Sequence, residues 1–242
     1  MPRRFYVVWV GRNTGVFTSW SDTKKQVHEF PQAEFKSFRT KEEAESAFMA
    51  GRGALSKRSA QNPSNDARKA FDTEIYCDGA CDPNPGKAGS GVAVYRESHL
   101  SELWYGLYNP RGTNNSAELN ALYQALRIAK EDIDQGHEVQ ILCDSRYSIS
   151  CVTSWAFSWE KKGWKRKAEA EIKNLKIIQQ AHELYKDIRA KVVVSHVKAH
   201  MGIEGNELAD RMAAFGIDQQ AANLCRYTGS LEIKTILKFR TS

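Results

Sequence analysis

Four acidic residues of this 242-residue chain stand where acids are costly. Asp78 lies inside the run Ile75-Tyr76-Cys77-Asp78-Gly79, and Asp144 closes the apolar run that starts at Val139, so each sets a carboxylate against sheet core. Glu118 shares a helical stripe with Leu122 and Ala125, and Asp210 sits among Leu208, Ala209, Met212 and Ala213. Each has an ordinary reading by itself. Asp-Gly marks hairpin turns, an Asp before Ser caps helices, and a helical Glu or Asp is usually solvated. Together they suggest another chemistry: strand ends and helix starts can gather all four, and hard divalent cations such as Mg²⁺ would then relieve their repulsion.

The elements that must position these acids are legible from residue 73 onward. Residues 74–80, 91–97 and 103–108 read as consecutive strands, 116–135 as a helix and 138–144 as a fourth strand. Residues 145–159 and 168–188 read as helices, 192–197 as a fifth strand and 206–220 as a last helix. Antiparallel strands followed by βα alternation predict an α/β fold, a mixed five-stranded sheet flanked by helices.

The first 50 residues form a different unit. Phe5–Val10 and residues 16–20 read as a hairpin, Ser21 as the N-cap of a helix over 22–29, 35–38 as a strand, and Thr40-Lys41-Glu42-Glu43 as a capping box opening a helix over 41–49. This predicts a small ββαβα domain over 1–50. Residues 51–71 carry few large apolar side chains and no periodicity, as in a flexible linker before a domain at 72–222 and a tail at 223–242. Residues 1–70 hold 13 Lys/Arg against 7 Asp/Glu, leaving 22 against 22 for 71–242, so the whole excess of +6 lies in the first part. A basic unit on a neutral body suggests a polyanion partner. Five cysteines without CxxC spacing point to reduced thiols, and no run is long and apolar enough for a membrane span, so a cytoplasmic location without membrane contact is expected.

Four strings occur in order: Tyr76-Cys77-Asp78-Gly79 through Gly86, Thr113-Asn114-Asn115-Ser116-Ala117-Glu118-Leu119, Cys143-Asp144-Ser145, and Val197-Lys198-Ala199-His200 through Asn206-Glu207-Leu208-Ala209-Asp210. Residues 73–222 thereby resemble the ribonuclease H family, type 1. The resemblance implies a ribonuclease H-like fold and an endonuclease that hydrolyses the RNA strand of RNA–DNA hybrids, leaving 5′-phosphate and 3′-hydroxyl ends. It implies that Asp78, Glu118, Asp144 and Asp210 hold two Mg²⁺ ions, with Mn²⁺ as a substitute, Asp78 bridging both. His200, on the loop 199–205 with Gly202 and Gly205, would serve proton transfer or product release. Asn84 and Asn115 would reach the minor groove or sugar edges, and Thr113 a DNA-phosphate pocket; turn chemistry is the alternative role for these polar residues.

Residues 155–167 interleave Trp155, Trp159 and Trp164 with Lys161, Lys162, Lys165, Arg166 and Lys167 around Gly163. The segment resembles a basic handle that some members of the family use on the DNA strand, and aromatic faces beside cations suit sugars, bases and phosphates. The tryptophans also have helix packing open to them. The N-terminal unit resembles the family's hybrid-binding domain, which implies that Tyr6, Trp20 and Phe35 face the DNA strand with Lys36 near a phosphate. Where the family often has a second basic residue, this chain has Ser37. Core packing remains open for at least one of these aromatics. RNA would be told from DNA by 2′-hydroxyls, with little sequence preference. An integrase-like nuclease and a non-catalytic hybrid sensor are the competing readings; a monomer without protein partners is expected, and the tail either packs on the domain, forms a short helix or makes an external contact.

Overall fold

The computed structural model describes residues 5–28, 30, 33–38, 40–49, 71–165, 171–199 and 201–241. The chain divides into two compact units, Met1–Arg68 and Lys69–Ser242.

In the first unit, β1 (Phe5–Val10) is the centre of a three-stranded antiparallel sheet, between β2 (Gly15–Phe17) and β3 (Glu34–Phe38). Val7 and Val8 are fully buried, as is Ala44 on α2 (Lys41–Met49). The second strand is shorter than expected. It stops at Phe17, and α1 (Trp20–Val27) begins with Trp20 itself, because the N-cap is Ser19 and not Ser21: Ser19 Oγ accepts from Asp22 N at 3.1 Å. Trp20 is therefore a first-turn helical residue. The capping box at α2 forms, with Glu43 N donating to Thr40 Oγ1 and Thr40 N to Glu43 Oε2.

In the second unit a six-stranded mixed sheet runs in the order β8-β7-β4-β5-β6-β9. β4 (Thr73–Asp82), β5 (Gly86–Arg96) and β6 (His99–Gly112) are antiparallel, whereas β7 (Val139–Cys143) and β8 (Val192–His196) add in parallel beside β4. The first three strands are longer than predicted; on β5, Gly86 and Gly89 are poor strand formers by themselves but are held by pairing with Gly112 and Ala80. Five strands were expected; the sixth, β9 (Cys225–Arg226), comes from the tail. α3 (Asn114–Asp134) and α6 (Leu175–Ile188) share the main core with Ile75, Leu122, Leu126, Ile141 and Ile178. α7 (Glu204–Asp218) packs beside β5 through Leu208 and Met212, joined by Leu103 and by Ile236 of α8 (Ile233–Ile236). Ile236 is fully buried, so the tail closes this smaller core.

Of the helix expected over 168–188, residues 168–170 lie outside the described residues, and the helix runs over Leu175–Ile188, after Asn174 takes a left-handed φ of 60°. Residues 145–159 are not one regular helix. α4 (Arg146–Ser150) passes through a π-turn at Cys151–Trp155, where Ala156 N donates to Cys151 O, into α5 (Ala156–Lys161).

Candidate active site

Asp78 feels the charges of Asp144 and Asp210 and in turn acts on Glu118, and backbone packing brings it among them. β4 and β7 are in register at Cys77 and Cys143, so Asp78 and Asp144 follow at adjacent positions where the two strands end their pairing. Gly79 comes next on β4. A Cβ there would lie 2.2 Å from Glu118 N, so the missing side chain lets the first turns of α3 touch the strand beside Asp78. Gly91, the cross-strand partner of Asp78 on β5, does the same for α7: a Cβ there would lie 2.1 Å from Ala209 O, one residue before Asp210. Two glycines thus bring two helices, each carrying one acid, onto the strands around a third.

The four carboxylates are differently engaged. Asp78 is 6% exposed, and its Oδ1 accepts from Gly79 N at 2.7 Å. Burial, then the charges of Asp144 and Asp210, raises its carboxyl well above the ordinary range. Glu118, also 6% exposed, is raised well above the ordinary range by burial and then by Asp78. Asp144 is not a helix cap, because Ser145 caps α4 by accepting from Ser148 N; Asp144 Oδ2 instead accepts from Asn206 Nδ2 at 3.3 Å. Asp210, 1% exposed, accepts from the guanidinium of Arg211, which also reaches Glu207 Oε2 at 3.4 Å.

Among the described residues, Glu118 Oε2 and Asp144 Oδ1 are buried with no hydrogen-bond partner. Uncompensated buried acceptors are rare, and carboxylate oxygens in that condition fit a hard divalent cation. One donor atom each of Glu118, Asp144 and Cys143 lie within 4.8 Å of one another. Cys143 is fully buried, and its contact with Cys77, followed by burial, raises its thiol well above the usual range. All five cysteines are free.

Sequence reasoning did not single out Asn206, whose 3% exposure and bond to Asp144 make it the residue that orients that carboxylate. A buried Asn on the acid-bearing face of α7 was the available signal. The expected loop 199–205 is shorter, since Glu204 and Gly205 already belong to α7 and Gly205 packs on Tyr76; Gly202 is in the loop with φ 71°. His200 lies outside the described residues, as do Arg166 and Lys167.

Thr113 is the N-cap of α3, accepting from Ser116 N in a reciprocal box, and Asn84 Oδ1 accepts from Asn114 N at 3.2 Å. Thr113, Asn84 and Asn115 are all exposed at this end of the helix. In the basic segment, Trp155 is 45% exposed, with Tyr147 and Trp159 rings 6.2 and 5.9 Å away, and Lys161, Lys162 and Lys165 are exposed. Trp159 and Trp164 are half-buried against the main core. Gly163 and Trp164, at φ 63° and 60°, turn the chain back so that Trp164 packs on His182, 6.1 Å between rings. His182 is fully buried and secures the base of the segment, with Nδ1 2.8 Å from Val152 O and Nε2 3.5 Å from Glu160 Oε2.

In the N-terminal unit Tyr6, Trp20 and Phe35 form one aromatic surface, with 5.6 Å between each ring and Trp20. Trp20 and Phe35 are 46% and 43% exposed, too open to serve as core. Lys36 is exposed, its Nζ 5.9 Å from the Phe38 ring.

Comparison with known proteins gives a family model described as RNase H matching residues 70–218 and one described as the Ribonuclease H1 N-terminal domain matching residues 4–48. The chain is 38% identical to a ribonuclease H of Pseudomonas putida (strain W619) over 149 residues, covering 62% of this chain and 95% of that one. It is 30% identical to ribonuclease H1 of Mus musculus over 262 aligned residues, covering 89% and 90%. Among solved structures, LC9-RNase H1, a type 1 RNase H with the type 2 active-site motif, matches with a TM-score of 0.54 at 23% identity, covering 71% of this chain and 87% of that one. The PFV RNase H domain matches at 0.51 and 21%, covering 62% and 96%. Both share the fold of the second unit.

Proposed function

Because this chain belongs to the ribonuclease H family, whose enzymes cleave the RNA of RNA–DNA hybrids, we propose that Asp78, Glu118, Asp144 and Asp210 form its catalytic centre and hold two divalent cations, Mg²⁺ with Mn²⁺ as a substitute. The observation that carries this reading is the pair of buried, unpartnered oxygens on Glu118 and Asp144 beside an Asp78 whose charge is itself disfavoured. Such cations, when bound, activate the attacking water and stabilise the leaving 3′ oxygen of an in-line displacement.

The protein's own contribution is to hold four acids rigidly on two strands and two helices. Asp78, which feels the charges of Asp144 and Asp210, would take part in holding both cations. Asn206 fixes one oxygen of Asp144 and leaves the other free for a cation. Arg211 balances Asp210 and Glu207 at the margin of the cluster. His200 is assigned the proton-transfer or product-release role on its place in the family's string.

Substrate holding is assigned to three exposed surfaces. Asn84, Thr113 and Asn115 lie at the start of the helix that bears Glu118. Trp155 with Lys161, Lys162 and Lys165, joined by Arg166, would follow the DNA strand; Trp159 and Trp164 shape the base of that segment more than its surface. Tyr6, Trp20 and Phe35, with Lys36, would stack on the DNA strand from the N-terminal unit. The chain is read as a monomer of the cytoplasm, a placement its free cysteines support.

The deciding experiment is cleavage of a labelled RNA–DNA hybrid, with double-stranded RNA and DNA as controls. Asp144→Asn is expected to lower kcat by roughly 10³-fold or more while hybrid affinity in Ca²⁺ stays within a few-fold. Full activity of Asp144→Asn would overturn the assigned chemistry.

A further inference from the structure

One donor of the acidic site is not an oxygen. Cys143 is the last residue of β7, its side chain is on the core-facing side with Cys77, and its Sγ lies within 4.8 Å of carboxylate oxygens of both Glu118 and Asp144. The glutamate is more than nine-tenths buried and carries an oxygen that accepts from nothing described, so the thiol adjoins a place where a ligand is owed. We infer that Glu118, Cys143 and Asp144 form a binding site for a thiophilic divalent cation of the Zn²⁺ or Cd²⁺ class, overlapping the catalytic cations and excluding them. This rests on the proposed role of Glu118 and Asp144 as metal ligands.

The selectivity follows from ligand softness. Mg²⁺ takes oxygen donors and leaves a neutral thiol as a bystander, so the same site serves hydrolysis without using Cys143. A soft cation gains a sulfur bond instead: the S–H bond breaks, its proton goes to solvent, and the thiolate keeps the electron pair to form the bond with the metal. Zn–S and Zn–O lengths of about 2.3 and 2.1 Å set tetrahedral donors about 3.5 Å apart, so donors lying within 4.8 Å of one another need close by no more than about 1 Å. Rotation of the Glu118 side chain supplies that movement, and the larger Cd²⁺ needs less of it. Cys77, hydrogen-bonded to Cys143, is not among the three donors.

The test uses the full chain with Cys81 and Cys225, the two half-exposed cysteines, replaced by serine to silence surface binding. Cd²⁺ is titrated at fixed pH while sulfur-to-cadmium charge-transfer absorbance is followed in the ultraviolet, and Mn²⁺ binding is measured separately by electron paramagnetic resonance. Expected are a saturable cadmium band at one equivalent, release of bound Mn²⁺ by Cd²⁺, and retention of the band in Cys77→Ser. Cys143→Ser should remove the band and weaken Cd²⁺ by about tenfold or more, leaving Mn²⁺ affinity unchanged. Cys143→Ala provides the same comparison if the serine hydroxyl unsettles the strand. Mn²⁺ binding with no cadmium band, or with a band indifferent to Cys143, sinks the thiol site and leaves the acidic reading standing. Failure of both ions to bind sinks both.

Discussion

Asp78 and Glu118 sit where a carboxylate charge is disfavoured, and this makes the metal-free protein sensitive to pH in a definite direction. Their folded-state carboxyls titrate above their ordinary values of 3.8 and 4.5, so the folded chain binds protons more tightly than the unfolded chain. The stability this contributes is fully present below those ordinary values and is lost as pH rises through the raised ones. Asp78→Asn removes one such group. In EDTA the variant is expected to match the parent near pH 3.5 and to be the more stable of the two at pH 7, the direction the raised carboxyl sets. Saturating Mg²⁺ should reverse the order, because a cation present at about 100 times its Kd adds about 2.7 kcal/mol to the parent alone. Thermal scans of both proteins across pH, with and without Mg²⁺, check both halves; a parent that is the more stable at pH 7 in EDTA would contradict the account. Asn206 adds a second expectation at this scale. Since it orients Asp144 without adding charge, Asn206→Ala should weaken Mn²⁺ binding by about tenfold with only a small change in Tm, a split that a purely structural residue would not give.

The acids themselves were legible because their element types were. Period-2 runs ending in Asp, and helical stripes interrupted by Glu or Asp, carry an anomaly that needs no coordinates. What brings the acids together was less visible. Asp78-Gly79 reads as a turn, yet Gly79 lies within β4 and is glycine because Glu118 N occupies the space a methyl group would take. Close approach depends on residues 39 positions apart, which no local pattern encodes. The same limit explains Ser19 against Ser21, where two serines are open to one cap and only the folded backbone shows which accepts from Asp22 N, and the start of α6 after a left-handed Asn174. Gly79→Ala is the matching prediction. The clash is backbone against backbone, so no flexible side chain can yield, and α3 must move away from β4. The expected cost is about 1–3 kcal/mol in chemical denaturation. A shift of about 1 Å at Glu118 would lower kcat roughly 10²-fold, with hybrid affinity little changed. A variant as active as the parent would show that α3 does not position Glu118 through this contact.

On the scale of the whole chain, charge and chemistry are divided. The acid cluster belongs to the second unit, whereas five of the six excess positive charges and the exposed Trp20 and Phe35 belong to the first. That division implies separable losses. A chain starting at Lys69 should keep the cleavage chemistry and lose affinity, since every carboxylate of the cluster and both glycines that seat them remain. Within the full chain, aromatic and cationic contacts should differ in how they respond to salt. Trp20→Ala removes stacking and should cost about 1–3 kcal/mol of hybrid binding at every salt concentration, leaving the slope of log K against log salt unchanged. Lys36→Ala, or Lys162→Ala in the basic segment, removes one phosphate contact and should flatten that slope by about 0.9 with a smaller loss at high salt. Binding isotherms on a non-cleaved hybrid in Ca²⁺, from low to moderate salt, separate the two kinds. If Trp20→Ala flattened the slope as the lysine variants do, the aromatic trio would be acting by holding the unit's basic residues in place rather than by stacking on the substrate.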